Sequence, residues 1–344
     1  MANQKERNLK KMKHPLKQTN MLTEASSLGK GHSWGIEILI FLLVFFVAQM
    51  LQSIPIVFAT VAWIFTNDAV MSALMQGNMA GYMEAATSLT TEMPDSLMLV
   101  QLFSTLLATI VAILFCRLIE KRRLSSMGLR RGNILSEYLV GSGFGIALIS
   151  LCVGLCALFG GLKLSTSSFS VGVWLLYLVG FLIQGMSEEV MCRGYMMISV
   201  SRKNALWLAV MTNSVMFALL HIANPGFGLL PLINITLFGV LESVYVLKRG
   251  NLWGACAIHS LWNFFQGNVF GVSVSGTGTG ASPLFATMTD GMEWLNGGTF
   301  GLEGGVVVTV VIALATLAAI FLMPTKQTEI AADPVAETDN PCAL

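Results

Sequence analysis

Long apolar runs separated by short polar segments dominate this sequence. A bilayer core about 30 Å thick needs about 20 apolar helical residues to cross it, and runs of roughly that length recur from Gly35 onward. The predicted spans are 35–65, 97–118, 137–160, 171–199, 204–222, 228–247, 252–270 and 305–323. Because each run is continuously apolar and does not alternate, helices are predicted, not barrel strands. We therefore predict an all-α polytopic membrane protein with about eight transmembrane helices.

Composition supports this fold class. The chain has 344 residues, of which 54% are hydrophobic and only 11% are charged, whereas soluble domains carry roughly 25% charged residues. So few charges cannot cover a water-facing surface. The formal net charge of +1 does not indicate a charged binding partner. We expect the protein to contact the lipid bilayer and not to bind nucleic acid.

The positions of the basic residues predict the topology. Lysine and arginine cluster in the N-terminal tail, at 117–131, at 202–203, at 248–249 and at Lys326, whereas 66–96, 223–227 and 271–304 contain neither. Basic loops face the cytoplasm. We therefore predict a cell-membrane protein with both termini cytoplasmic. Its parts would be a basic tail (1–34), a membrane domain (35–323) and a polar tail (324–344).

The local structure of two segments can also be predicted. Pro55 interrupts the first apolar run, which predicts one span followed by an interfacial segment, because proline breaks helices. The outer loop 271–304 is rich in Gly, Ser and Thr and is predicted to be coil.

One predicted span carries charges at membrane depth. Glu188, Glu189 and Arg193 interrupt the fourth apolar run, and charged residues in the bilayer core usually mark a functional site with a polar partner. Glu189 and Arg193 are four residues apart and share a helix face, whereas Glu188 is rotated away by about 100°. We expect Glu189 and Arg193 to form a structural pair that leaves Glu188 free for chemistry.

Further polar residues follow on the next three spans. His221 ends the fifth span, Glu242 lies in the sixth, and His259 and Asn263 lie four residues apart in the seventh. Each needs a polar partner in hydrocarbon, and one shared cluster would supply it. We predict a polar site between spans four, five and seven, with a purely structural cluster as the alternative. Glu242 is expected to reach toward the inner interface, with a substrate-facing acid inside the bundle as the alternative.

These residues, in this order, resemble a known family. Three motifs carry the resemblance, namely Glu188-Glu189-x-x-x-Arg193, Phe217-x-x-x-His221 and His259-x-x-x-Asn263. They resemble the CPBP intramembrane proteases, which include type II CAAX prenyl endopeptidases and bacteriocin-processing or Abi proteins. The resemblance covers about 171–275, and the stretch 251–276 is similar to bacterial members especially.

The resemblance implies hydrolysis of a peptide bond. A desolvated Glu188 suits a general base that takes a proton from water, and His221 can orient the same water. The family's proposed oxyanion site falls on His259 and Asn263, whose N–H groups would face the developing negative oxygen. The implied partner is a peptide or protein substrate at the membrane.

Supporting roles fall on three further residues. Glu189 and Arg193 would hold their helix in register, and Phe217, one turn before His221, would orient the imidazole or simply pack. Counted at about 1.5 Å per residue from Arg202, the glutamates lie roughly 20 Å deep in a core of about 30 Å. This depth favours the outer half of the membrane and a membrane-associated peptide or leader over a prenylated CAAX protein.

Metal dependence is left open by the residues. Glu188, His221 and His259 could form a three-ligand zinc site with an open position for water, but H-E-x-x-H is absent. We favour glutamate-activated water with no required cofactor and keep zinc as a possibility.

Two other classes of function are also open. A non-catalytic binding or immunity scaffold of the same fold would carry the same motifs. A proton-coupled transporter could use Glu188, Glu189 and His221 as a relay, although no internal repeat of the transporter kind is present.

Overall fold

The computed structural model describes residues 20–27, 29, 31–84, 93–168, 170–278, 283–289 and 291–325. These residues form a helical bundle with one two-stranded sheet. Most of the two predicted tails, 1–34 and 324–344, lies outside the described residues, as do 85–92 and 279–282 of the predicted outer loops.

Helices make up most of the described chain. In order they are α1 (Asn20–Ser27), α2 (Trp34–Thr66), α3 (Asp68–Met75), α4 (Asp95–Ile119), α5 (Ile134–Leu158), α6 (Val171–Ser201), α7 (Leu206–Leu219), α8 (Leu229–Arg249), α9 (Trp253–Phe264, continued by a π-helical turn at Phe265–Val269), α10 (Glu293–Asn296) and α11 (Val306–Leu322). Residues 79–84 are also helical. Short 3-10 segments occupy Leu124–Met127, Gly298–Phe300 and Leu302–Gly304.

The predicted fold class is confirmed. Helices α2, α4, α5, α6 and α8 are long and apolar enough to cross a membrane. Helices α7 and α11 are apolar but shorter, with 14 and 17 residues, and α9 gains length from its π-helical turn. Together these segments coincide with the predicted spans, so the described chain is an all-α polytopic membrane protein.

The expectation that Pro55 breaks the first helix was wrong. Helix α2 runs without interruption for 33 residues through Pro55. A helix of that length extends about 50 Å, well beyond a hydrocarbon core of about 30 Å. Proline removes one backbone donor, but the flanking apolar residues and the packing of α2 on α4 keep the helix continuous.

Part of the predicted N-terminal tail is folded. Helix α1 buries Met21, Leu22 and Ala25 against the bundle. Its Glu24 Oε1 accepts a hydrogen bond of 2.8 Å from Arg130 Nη2. The three apolar residues recur at helical spacing, which places them on one face.

The outer loop 271–304 is not entirely coil, contrary to the prediction. Strand β2 (Phe285–Thr289) pairs antiparallel with β1 (Leu162–Thr166), so that Leu162 lies opposite Thr289. Phenylalanine and threonine favour extended backbone, a signal that the abundance of glycine in the loop obscured.

Close backbone packing positions α9 between α5 and α6. Gly141 and Gly145 on α5 face the α9 backbone at Gly254 and Ile258, with no room for a Cβ. Gly185 on α6 meets the backbone and hydroxyl of Ser260 in the same way. Small residues four apart allow membrane helices to approach closely, and here they set the position of the helix that carries His259 and Asn263.

This packing predicts a sharp difference between two glycines of α5. Gly145→Ala would force α9 outward and destabilise the protein by roughly 1–3 kcal/mol. A Cβ at Gly143 meets nothing within 4 Å, so Gly143→Ala should be neutral, or stabilising by up to about 1 kcal/mol through helix propensity. Thermal unfolding of the purified variants in detergent measures the difference, and equal melting temperatures would contradict it.

Candidate active site

The predicted catalytic residues line a single cavity. The cavity has a volume of about 430 Å³, and Glu188, His221, His259 and Asn263 all contribute to its wall. A volume of 300–1,000 Å³ is typical of ligand sites, on an order-of-magnitude scale. The structure therefore brings together side chains from α6, the turn after α7, and α9, as the polar pattern predicted.

Helix α6 changes geometry beside its two glutamates. It is α-helical at Val171–Glu189 and π-helical at Val190–Met197. Such π-helical segments are rare and often occur at functional sites. The wider turn still leaves Glu189 and Arg193 in contact, because Arg193 Nη1 donates to Glu189 Oε1 at 2.8 Å.

Glu189 lies at the centre of a buried network of charged and polar side chains. Its Oε1 is also 2.9 Å from His259 Nδ1, a contact in which the ring N–H must donate to the carboxylate. Glu189 and Arg193 are each 0% exposed. The predicted structural pair is thus present, and it includes an additional member, His259, whose ring orientation it sets.

Glu188 has a different environment from its neighbour. Its side chain is 31% exposed, against 0% for Glu189, so of the two carboxylates only Glu188 can meet a molecule in the cavity. Glu188 Oε2 lies 3.4 Å from His259 Nε2 and makes no hydrogen bond to any described residue. His259 therefore lies between two carboxylates, one buried and one facing the cavity.

Sequence reasoning missed Gln184. Its Nε2 donates to Glu188 Oε1 at 2.6 Å, and its Oε1 accepts from Asn263 Nδ2 at 3.0 Å. One amide thus links the candidate base to the candidate oxyanion donor. The spacing of four residues between Gln184 and Glu188 was the available signal, since such pairs share a helix face.

His221 lies in the turn after α7 and is half-buried. Its Nδ1 is 2.8 Å from the carbonyl oxygen of Phe217. A carbonyl can only accept, so Nδ1 carries the proton, and in the neutral ring Nε2 is an acceptor. The interaction holds the ring through the main chain of the residue that was predicted to orient it.

The Phe217 ring packs against both histidines and against Arg193. It contacts His221 and His259 edge to face, with ring centroids 5.0 and 5.7 Å away. The guanidinium carbon of Arg193 lies 4.5 Å from its centroid, a distance typical of a cation–π interaction. The Phe217 side chain therefore packs against the cluster, and its carbonyl oxygen orients the His221 ring.

The predicted outer loops form part of the cavity wall. Asn224, Ser275, Thr277 and Glu303 all line it. Glu303 accepts from the side chains of Gln266 and Ser275. Burial raises the pKa of Glu303 above its usual value, and these hydrogen bonds oppose the shift. The loop 271–304 is thus anchored at the cavity.

The expectation for Glu242 was wrong. Its side chain is fully buried and does not reach an interface. It lies within electrostatic range of Glu189 and Arg193, and neither of its carboxylate oxygens bonds to a described residue. Helix α8 packs this face against α6 and α7, so the side chain has no route to the interface.

A metal site is not evident in the described part of the chain. No group of three or more His, Cys, Asp or Glu side chains there is arranged to hold a metal ion. The alternative triad of Glu188, His221 and His259 therefore remains a prediction for a biochemical test.

The fold and the cavity define a class: a polytopic helical membrane protein with a cavity-facing glutamate, two histidines and an asparagine around one cavity. Residues 170–265 match the family model described as Type II CAAX prenyl endopeptidase Rce1-like. The match includes all three motifs and supports the resemblance of this part of the chain to the CPBP family. At the family level it supports a CAAX-type intramembrane protease that acts on membrane-embedded peptides. No curated protein and no solved structure matches the chain.

The buried network predicts an unusual stability pattern. Arg193→Met would leave Glu189 buried without its cation and destabilise the protein by roughly 3–5 kcal/mol. The double variant Glu189→Gln/Arg193→Met removes both charges and should recover much of that loss. Lys203→Met, at an exposed position, is the control and should change stability little. Melting temperatures in detergent report all three, and a double variant less stable than Arg193→Met would contradict the network.

Proposed function

We propose that this protein is an intramembrane endopeptidase that hydrolyses a peptide bond of a membrane-associated peptide or protein with water activated by Glu188. The observation that carries the proposal is the different environment of the two adjacent glutamates. Glu189 is sealed in an ion pair, whereas Glu188 faces a cavity shared with His221, His259 and Asn263.

The proposed reaction begins with a water held by Glu188 and His221. Glu188 takes one proton as the water oxygen attacks the carbonyl carbon of the scissile bond. His259 and Asn263 donate to the resulting oxyanion. Glu188 then passes its proton to the leaving nitrogen, the C–N bond breaks, and the products are a carboxylic acid and an amine, which exchange the remaining proton to give a carboxylate and an ammonium group.

The hydrogen bonds of the site support these roles. Asn263 has two amide N–H groups, of which Gln184 accepts one, so the other is available to the oxyanion. His259 has its Nδ1 proton held by Glu189, and protonation of Nε2 would make that nitrogen a donor. No step requires a metal, and we propose a mechanism without one.

Substitution of Glu188 tests the proposal. Glu188→Gln keeps the size of the side chain but cannot accept a proton, and loss of a general base lowers rates by roughly 10²–10⁴-fold. Comparative peptidomics of cells carrying wild type or Glu188→Gln should show a peptide that accumulates uncut in the variant. Glu293→Gln, an acidic position outside the cavity, is the matched control and should leave the peptide profile unchanged.

Two outcomes would contradict this mechanism. An identical peptide profile in a folded Glu188→Gln variant would favour the binding scaffold. Loss of cleavage of the identified peptide in EDTA-treated protein, restored by zinc alone, would replace glutamate-activated water with a metal mechanism.

We also propose that the substrate enters from the membrane or the outer side, with both termini in the cytoplasm of the cell. The cavity wall includes Asn224, Ser275 and Thr277 from segments without lysine or arginine. The basic segments lie at the opposite ends of α4 and α6, where Arg122 and Arg202 share the partner Glu120. A further basic segment ends α8, where Arg249 pairs with Glu137.

Cysteine labelling tests this orientation. Ile222 is 64% exposed beside His221, whereas Leu124 is exposed at the basic end. After replacement of Cys342 by serine, a membrane-impermeant maleimide applied to intact cells should label Ile222→Cys and not Leu124→Cys. The other cysteines, all within the described residues, are buried. Labelling only of Leu124→Cys would reverse the topology.

A further inference from the structure

The part of the cavity wall formed by α2 and α4 carries three side-chain amides that make no hydrogen bond within the described residues. Gln49 and Gln52 lie on α2 and Gln101 lies on α4, and all three line the cavity. None of their amide groups bonds to a described residue, whereas the cavity hydroxyls of Ser53 and Thr105 donate to carbonyls of their own helices.

The sequence makes the two glutamines of α2 unusual. They are the only carboxamide side chains of a 33-residue helix that is otherwise almost entirely apolar. Gln49, Gln52, Ser53 and Ile56 are spaced three and four residues apart, so they lie on one face, and that face borders the cavity. Polar groups in hydrocarbon are unfavourable unless they find partners, and a polar molecule in the cavity can provide those partners.

The chemistry of this wall distinguishes among possible occupants. No lysine or arginine lines the cavity in the described part of the chain, so a phosphate headgroup finds no cation. Acyl or prenyl chains would leave all three amides without partners. A carboxamide offers both donors and acceptors, which matches the N–H and C=O of a peptide main chain, and that main chain must itself be satisfied at membrane depth.

We propose that Gln49, Gln52 and Gln101 bind the main chain of an extended substrate segment and hold it in the cavity that Glu188 faces. Gln49 and Gln52 are three residues apart and so are separated by about 4.5 Å along the axis of α2. An extended strand rises roughly 3.3 Å per residue. The two amides could therefore contact neighbouring peptide groups of one strand.

This inference rests on the proposed function for its occupant, but it concerns binding and not cleavage. Because the contacts are to main chain, the recognition is tolerant of side chains. The probe can therefore be a fluorescein-labelled decapeptide of alternating leucine and serine. Its matched partner has the same side chains with every second amide replaced by an ester, which removes N–H donors and weakens the carbonyl acceptors.

The experiment measures the affinity of both probes by fluorescence anisotropy in detergent micelles, in a Glu188→Gln background that prevents cleavage. The parent should bind the amide probe more tightly than the ester probe. Each of Gln49→Leu, Gln52→Leu and Gln101→Leu should weaken the amide probe by roughly fivefold, the effect of one neutral hydrogen bond, and change the ester probe much less. Met50→Leu, an exposed position that does not line the cavity, is the control and should bind as the parent does.

Three results would overturn the inference: equal loss for both probes, no loss in any glutamine variant, or failure of the parent to bind the amide probe. A cleavage assay distinguishes this inference from the proposed function, with the peptide that accumulates in Glu188→Gln cells as its substrate. If Glu188→Gln abolishes cleavage but the glutamine variants bind and cut normally, main-chain recognition fails alone. If Glu188→Gln still cuts, the proposed mechanism fails, while amide-dependent binding stands or falls by the anisotropy data.

Discussion

The buried contact of Glu189 with Arg193 and His259 is the constraint on which the site depends. Charges removed from water must be paired with good geometry, because an unpaired one costs several kcal/mol. Arg193 Nη1 and His259 Nδ1 approach the same carboxylate oxygen within 2.9 Å. Since His259 belongs to α9, this contact ties the register of α9 to that of α6, and the glycines behind both helices allow the approach.

The same constraint explains why adjacent glutamates differ. Neighbouring residues on a helix point about 100° apart, so a face that seals Glu189 against α9 turns Glu188 toward the cavity. Gln184, one turn earlier, then holds the Glu188 carboxylate from the same helix face. A single rigid element therefore provides both a structural ion pair and a candidate base, and neither needs a mobile segment to position it.

Much of this arrangement could be predicted from sequence because it follows from helical periodicity and the high energy of charge in hydrocarbon. The spans, the Glu189–Arg193 pair and the convergence of Glu188, His221 and His259 needed only those rules. The wrong predictions concern positions whose conformation depends on tertiary contacts. Pro55 remains helical because α2 packs on α4, β2 forms because β1 lies beside it, and Glu242 stays buried because α8 packs it inward.

The distribution of polar groups around the cavity suggests how one space can serve both chemistry and substrate binding. On the wall formed by α6 and α9, polar atoms bond mainly to one another, as Gln184 does to Glu188 and Asn263. On the wall formed by α2 and α4, the amides make no such bonds. The hydrogen bonds within the α6 and α9 wall keep the candidate reacting groups in place without a ligand. The amides of the α2 and α4 wall gain hydrogen bonds only when a polar chain enters the cavity. The energetic difference between the walls would therefore favour occupation of the cavity by a peptide over occupation by lipid, since hydrocarbon satisfies neither amide nor carboxylate.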